Sequence, residues 1–172
     1  MDELTQLATK YGTDKWGKHH YTPVYYDMFA TRRDSVKKVV EIGAGEGASL
    51  RMWRDFFPKA VVYGMDNEEN RIFNEDRITV LEGDQSNGND LRSFISRIGW
   101  DIDLIVDDGS HKSSDQVFSC LTLMPWINKP VRYAIEDVSD PEIIKCFDRY
   151  ETELVKCGDR NDDRLIIVRY KI

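Results

Sequence analysis

Two short blocks of the chain carry groups that could do chemistry together: Asp107-Asp108-Gly109-Ser110-His111 and Glu136-Asp137. Hard carboxylate oxygens held on loops suit a divalent cation, Mg²⁺ by general preference and Mn²⁺ as the alternative. His111 follows Asp108 by three residues, and a neutral imidazole at that place suits a general base near neutral pH. A cation that lowers the pKa of a hydroxyl, beside a base that takes its proton, turns an alcohol into a nucleophile. Asp108, Glu136 and Asp137 are therefore candidate metal ligands, with Asp108 and His111 as candidate catalytic groups. Plainer readings exist for each: Glu136-Asp137 could cap the turn that follows, and His111 could simply open a helix. Asp107 reads as structural or cofactor-facing rather than as a metal ligand.

The second chemical feature is the loop Glu41-Ile42-Gly43-Ala44-Gly45-Glu46-Gly47. Its glycines allow a tight turn and bring bare backbone against a ligand, and the helix it opens offers N-terminal amides to a carboxylate or phosphate. Gly43 to Ala48 also fits the dinucleotide pattern G-x-G-x-x-A, so NAD stands as a rival on the motif alone. Glu41 and Glu46 argue against it, because acids crowding the loop repel a pyrophosphate but tolerate a sulfonium and an amino group. Asp66 could hold ribose hydroxyls in either case, whereas Asp84 could accept a hydrogen bond from an adenine amine.

These residues need a scaffold, and the apolar pattern supplies one. Val36 to Ile42, Val61 to Met65, Ile78 to Leu81, Ile102 to Val106 and Val131 to Ile135 read as short buried strands. Between them, Ala48 to Phe57 and Leu91 to Ile98 have helical spacing, and Ser113 with Gln116 has the spacing of a capping box. Ser139-Asp140-Pro141-Glu142 is a further helix start. Tyr150 to Lys156 and Leu165 to Tyr170, flanking the polar loop Gly158 to Asp163, predict a closing antiparallel hairpin. The sum is an α/β fold: a Rossmann-like, doubly wound, mostly parallel sheet of about seven strands. Such sheets bind ligands beyond the carboxyl ends of their strands. Acids follow each of the five parallel strands, at the glycine loop, Asp66, Asp84, Asp107-Asp108 and Glu136-Asp137.

Composition bounds the rest. A chain of 172 residues, 41% hydrophobic and 32% charged, predicts one domain. Residues 1–35 read as a helical lid segment and residues 36–172 as the core. A net charge of −7 makes nucleic acid a poor partner, and no apolar run reaches membrane-spanning length. The acidic N-terminus lacks the character of a signal peptide, and Cys120, Cys146 and Cys157 read as reduced thiols, so the expected location is the cytoplasm. A homo-oligomer stays open.

The glycine loop, as Val40 to Gly47, resembles the first motif of class I S-adenosylmethionine-dependent methyltransferases. That resemblance implies S-adenosylmethionine as cofactor, contacted by Gly43 and Gly45, with Asp66 on the ribose and Asp84 and Gln85 on the adenine side. Glu41 and Asp107 join the candidate cofactor residues. Leu50 to Pro58, Val62 to Asp66, Gly83 to Ser86, Asp107 to His111 and Ile135 to Asp137 together resemble the metal-dependent O-methyltransferases of macrolide deoxysugars, the mycinamicin and macrocin type. Tyr11-Gly12-Thr13-Asp14-Lys15 and His20-Tyr21-Thr22-Pro23 extend the likeness. It implies methyl transfer to a sugar hydroxyl, with Asp108 and Asp137 as ligands, Glu136 as ligand or neighbour, and His111 as base. Those enzymes carry an N-terminal domain without counterpart here, so acceptor binding is expected to be arranged differently. Alternatives are a catechol-like or other small hydroxylated acceptor, or a module of a larger glycan-assembling protein. The aromatic N-terminal segment reads as a lid with a sugar-stacking wall, although Tyr25, Met28 and Phe29 also suit packing on the sheet; His19 and His20 read as surface or lid residues.

Overall fold

The computed structural model describes residues 1–171. β1 (Lys38–Ile42), β2 (Val61–Asp66), β4 (Ile78–Glu82), β5 (Leu104–Asp107) and β6 (Arg132–Ile135) are the five parallel strands. The hairpin of β7 (Glu151–Lys156) and β8 (Arg164–Arg169) adds antiparallel to β6 through β8. An eighth strand, β3 (Asn74–Glu75), was outside the sequence expectation: two exposed residues pair antiparallel with β4 and leave no apolar pattern to read. The sheet order is β3-β4-β2-β1-β5-β6-β8-β7. The chain winds outward from β1 through β2 and β4, then returns to β5 and winds the other way. The switch point lies between β1 and β5, which is where such a sheet opens a crevice.

Helices cover both faces because the parallel strands are apolar on both sides. Val39, Leu104, Val106 and Ala134 point to one face and pack with α1 (Glu3–Tyr11), α2 (Thr22–Phe29) and α3 (Ala48–Phe56). Val40, Ile42, Ile105, Tyr133 and Ile135 point to the other, against α4 (Gly88–Ile98) and α5 (Ser113–Leu123). The expected helix after Ser139 is a 3-10 turn, Pro141–Phe147, capped where the Asp140 side chain accepts from the Glu142 amide. Among the described residues no helix is long and apolar enough to cross a membrane.

The N-terminal helices are core layers rather than a lid. Leu4, Ala8, Tyr25 and Phe29 are fully buried, and Tyr25, Phe29, Trp53, Phe56 and Phe57 form an edge-packed aromatic cluster. Burial on this scale makes α1 and α2 part of the fold's stability. Only the link between them, at Gly12, Thr13 and Asp14, reaches the crevice.

Trp53 ties this core to the carboxylate of Glu41 in β1, since its Nε1 donates to Glu41 Oε2 at 2.5 Å. Trp53→Phe keeps the aromatic packing but leaves that buried carboxylate oxygen without its donor. The expected loss is ~1–3 kcal/mol of unfolding free energy in urea denaturation.

Candidate active site

The crevice is a pocket of about 550 Å³ bounded by the glycine loop, the end of β2, Gly83 to Gln85, and Asp108 to His111. Gly43 has φ of 86°, and a Cβ there would lie 2.2 Å from the carbonyl oxygen of Asp108. The glycine therefore lets the loop of β1 press against the loop of β5, which forms the pocket floor. The amide of Gly45 donates to Asp66 Oδ2 at 3.0 Å, and the Glu68 amide donates to Oδ1 at 3.1 Å. Asp84 lines the pocket with one oxygen accepting from the backbone and hydroxyl of Ser86, which holds its carboxyl below the ordinary range. Gln85 also lines it, and braces the wall: Nε2 donates to Asp107 Oδ1 at 3.0 Å while Oε1 accepts from the Ser110 amide at 2.6 Å.

Strand pleating sorts the remaining acids, because successive side chains point to opposite faces. Asp107 falls on the α5 face, where Ser119, Tyr133 and Gln85 donate to it. Burial pushes its pKa up to about 6 against the pull of those donors. Asp107 is thus not a pocket residue, and neither is Glu41, which accepts from Ser49 and Trp53 on the α3 face. Both were candidate cofactor contacts; in the structure their carboxylates brace α3 and the loops after β4 and β5 instead of lining the pocket.

Glu41, Asp108 and Glu136 converge on that α1–α3 face around a group that sequence reasoning missed. The Lys15 side chain, fully buried, places Nζ 2.5 Å from Glu136 Oε2, 2.7 Å from Asp108 Oδ2 and 3.4 Å from Glu41 Oε1. Burial alone would lower the pKa of this ammonium, but the carboxylates of Asp108, Glu136 and Glu41 outweigh it and hold the pKa well above its usual value. One ammonium cannot neutralise three carboxylates. Burial raises Glu136 well above the ordinary range and also raises Glu41, whereas for Asp108 the charge of Lys15 overcomes burial and holds it at about 2.

The outer side of Asp108 faces His111 and Asp137. His111 Nε2 lies 3.2 Å from Asp108 Oδ1, and Nδ1 lies 3.3 Å from Asp137 Oδ2. His111 and Asp137 both have left-handed backbones, φ of 58° and 51°, an uncommon conformation that the surrounding contacts must enforce. Asp137 is further held by the Tyr21 hydroxyl, 2.7 Å from Oδ1, and His19 Nε2 lies 3.3 Å from that same oxygen without bonding to it. His19 is buried, not a surface residue; its Nδ1 meets Asp163 Oδ1 at 2.5 Å and its Nε2 makes no hydrogen bond. His20 is exposed, as expected.

Asp108, His111 and Asp137 offer ligand atoms within 4.8 Å of one another. A second such group, His19, Asp162 and Asp163, sits behind Asp137. Glu136 stands apart from the first group, because Lys15 takes one of its oxygens and the Tyr25 hydroxyl, at 2.7 Å, takes the other. In this arrangement it is a neighbour of the cluster rather than a member. Hard oxygens with an excess of negative charge are the donor set of a divalent cation, so these residues fit one.

No family model matches the chain. A 2′-O-methyltransferase acting on the rhamnosyl group of a tetracenomycin in Streptomyces olivaceus is 41% identical over 142 residues, which are 78% of this chain and 37% of that protein. The demethylmacrocin O-methyltransferase of Streptomyces fradiae is 37% identical over 144 residues, 79% of this chain and 36% of its own. The chain is a homologue of these sugar O-methyltransferases. It spans a little over a third of the length of the curated relatives it matches. The solved MycE methyltransferase of mycinamycin biosynthesis, in complex with Mg and S-adenosylhomocysteine, superimposes with a TM-score of 0.79 at 28% identity, covering 99% of this chain and 55% of that one. Another MycE structure also holds mycinamycin VI, with the same TM-score at 27% identity.

The His111 hydrogen bond to Asp108, then the charges of Asp137 and Asp108, raise its pKa above the ordinary histidine value. The folded state therefore holds a proton that the unfolded chain releases near pH 6.5. This contribution to stability is complete below that pH and is lost as pH rises through the folded value. In metal-free buffer, the thermal midpoint is expected to fall over that window in the wild type and to change less in His111→Asn.

Proposed function

We propose that this chain binds S-adenosylmethionine in the glycine-loop pocket and, with a divalent cation such as Mg²⁺, methylates a sugar hydroxyl of a glycosylated metabolite in the cytoplasm. The observation that carries the reading is the Asp108–His111–Asp137 cluster standing at the rim of a pocket walled by Gly43, Asp66 and Asp84. The homologues' sugar acceptors and the Mg and S-adenosylhomocysteine of MycE support the same assignment.

When bound, S-adenosylmethionine supplies an electrophilic methyl group and the cation a Lewis acid that acidifies a nearby hydroxyl. The chain's residues do the rest. The bare backbone of Gly43 and Gly45 leaves room for the amino-acid part of the cofactor, Asp66 can accept from ribose hydroxyls, and Asp84 faces the adenine side. Asp108 and Asp137 would hold the cation, with Glu136 beside them. His111, whose side chain is 43% exposed, can be reached by an acceptor. It would take the hydroxyl proton on a ring nitrogen, and the adjacent oxygens of Asp108 and Asp137 would steady the imidazolium. Glycine-loop, β2-end and β5-end walls position the methyl group close to that hydroxyl, which supplies the proximity an in-line displacement needs.

Release of S-adenosylhomocysteine from a panel of glycosides and catechols tests the acceptor class, with turnover of glycosides expected and turnover of catechols alone excluding the sugar reading. Asp108→Asn and Asp137→Asn are expected to lose turnover while binding S-adenosylhomocysteine nearly as tightly as wild type; full activity in EDTA would remove the cation. His111→Ala is expected to lower kcat by about 10²–10⁴.

A further inference from the structure

The edge of the sheet opposite the crevice carries a second concavity, of about 700 Å³, within the size range of small-molecule sites. It opens where β6 begins at Arg132, β8 ends at Arg169 and β7 begins at Glu151. The pairing of Tyr133 with Val168 makes Arg132 and Arg169 the next opposed positions of their strands. Both share the face of Ala134 and Ile167, the α1–α3 side. Like charges set directly opposite each other on one sheet face are destabilising. Arg32, beyond the end of α2, brings a third guanidinium to the same pocket.

Little in the fold compensates these charges. Among the described residues, Glu151 is the one acid of the lining, and it is paired with Arg169. The Arg132 side chain makes one long hydrogen bond, 3.4 Å from Nη1 to the Val131 carbonyl. Arg32 donates from Nε to the Met28 carbonyl at 3.1 Å, and its guanidinium lies over the Phe29 ring. Burial, then the charges of Arg32 and Arg169, pull the Arg132 guanidinium below its ordinary value. Lys129 and Lys171 add to the positive lining, the first already held by Asp103 at 2.7 Å. In a chain of net charge −7 this accumulation does not follow from composition. The remaining wall is apolar: Ile127, Pro130 and the ring of Tyr170, whose hydroxyl donates to the Ile127 carbonyl at 2.9 Å.

We propose that this pocket binds a phosphorylated small molecule, its phosphate held by Arg32, Arg132 and Arg169 and its apolar body laid against Ile127, Pro130 and Tyr170. The three guanidiniums come from β6, β8 and the end of α2, so they meet from separate directions. A tetrahedral phosphate presents oxygens in several directions, whereas a carboxylate presents two in one plane, and the arginine fork matches a phosphate edge bidentately. Such an anion converts the repulsion between Arg132 and Arg169 into a shared attraction. The pocket has no lining residue in common with the crevice, so its occupancy does not depend on cofactor, cation or acceptor.

The test is calorimetric titration of the whole chain with inorganic pyrophosphate, in EDTA so that no cation bridges the probe to Asp108. Wild type is expected to bind, and Arg132→Met to weaken the affinity by about 10–100-fold, the loss expected for one charge-assisted contact. Glu151→Gln, which removes the opposing acid, is expected to tighten it. Arg97→Met, which removes an exposed charge from α4, is expected to leave it unchanged. No binding by wild type overturns the proposal, and so does an equal loss in Arg97→Met, which marks diffuse attraction only. Binding undiminished in Arg132→Met, or weakened in Glu151→Gln, places the anion elsewhere and overturns it as well. Succinate bound as tightly as pyrophosphate overturns the phosphate class. A polyglutamate peptide bound in place of pyrophosphate overturns it in favour of an acidic protein partner. Loss of folding in Arg132→Met makes that guanidinium a structural group and overturns its role as a ligand.

Discussion

The site depends on one electrostatic arrangement: three strand ends deliver carboxylates to a buried point, and a single ammonium meets them there. Glu41 is the penultimate residue of β1, Asp108 follows β5 and Glu136 follows β6, so Lys15 ties the N-terminal segment to the three central strands at once. Burying charges is costly, and a pair or cluster is stable only where geometry and extra hydrogen bonds offset the lost hydration. Here Ser49 and Trp53 complete the shell of Glu41, and Tyr25 completes that of Glu136. The ammonium leaves Asp108 Oδ1 and Asp137 Oδ2 to the His111 side, which is the direction from which a cation can approach.

Pleat geometry explains how adjacent acids come to do different work. Asp107 and Asp108 are neighbours in sequence, yet one is locked under α5 by Ser119, Tyr133 and Gln85 while the other faces Lys15 and His111. Glu136 and Asp137 divide similarly, the first turned inward to Lys15 and Tyr25 and the second, in a left-handed conformation, turned outward to His111. Gln85 connects the two sides, since it fixes both Asp107 and the Ser110 amide of the His111 loop. A rigid support of this kind keeps a catalytic loop in one geometry without contacting the reacting atoms.

Much of this was legible in the sequence. The five parallel strands, the closing hairpin and the glycine loop followed from apolar runs and turn residues, and the rule that ligands sit at carboxyl ends brought Asp66, Asp84, Asp108 and His111 to one crevice. The burial of Asp107 beneath α5 could have been read too, because a period of two along β5 puts it on the face opposite Asp108. Lys15 and His19 left weaker traces. They lie in an irregular polar stretch with no periodicity, and polar residues there suggest a surface. The usable signal was the charge count: so many acids at one sheet edge require a buried partner, and the aromatic segment from Tyr11 to Phe29 was the one part of the chain free to bring it.

The central claim is that the cation belongs between Asp108 and Asp137, on the pocket side of Lys15. Crystals of the chain grown with S-adenosylhomocysteine and Mn²⁺ test it directly through the anomalous signal of the metal. The account predicts one peak within coordination distance of Asp108 and Asp137 carboxylate oxygens, facing the cofactor's sulfur across the pocket. A peak held instead by His19, Asp162 and Asp163, or no peak while cofactor is bound, would contradict it.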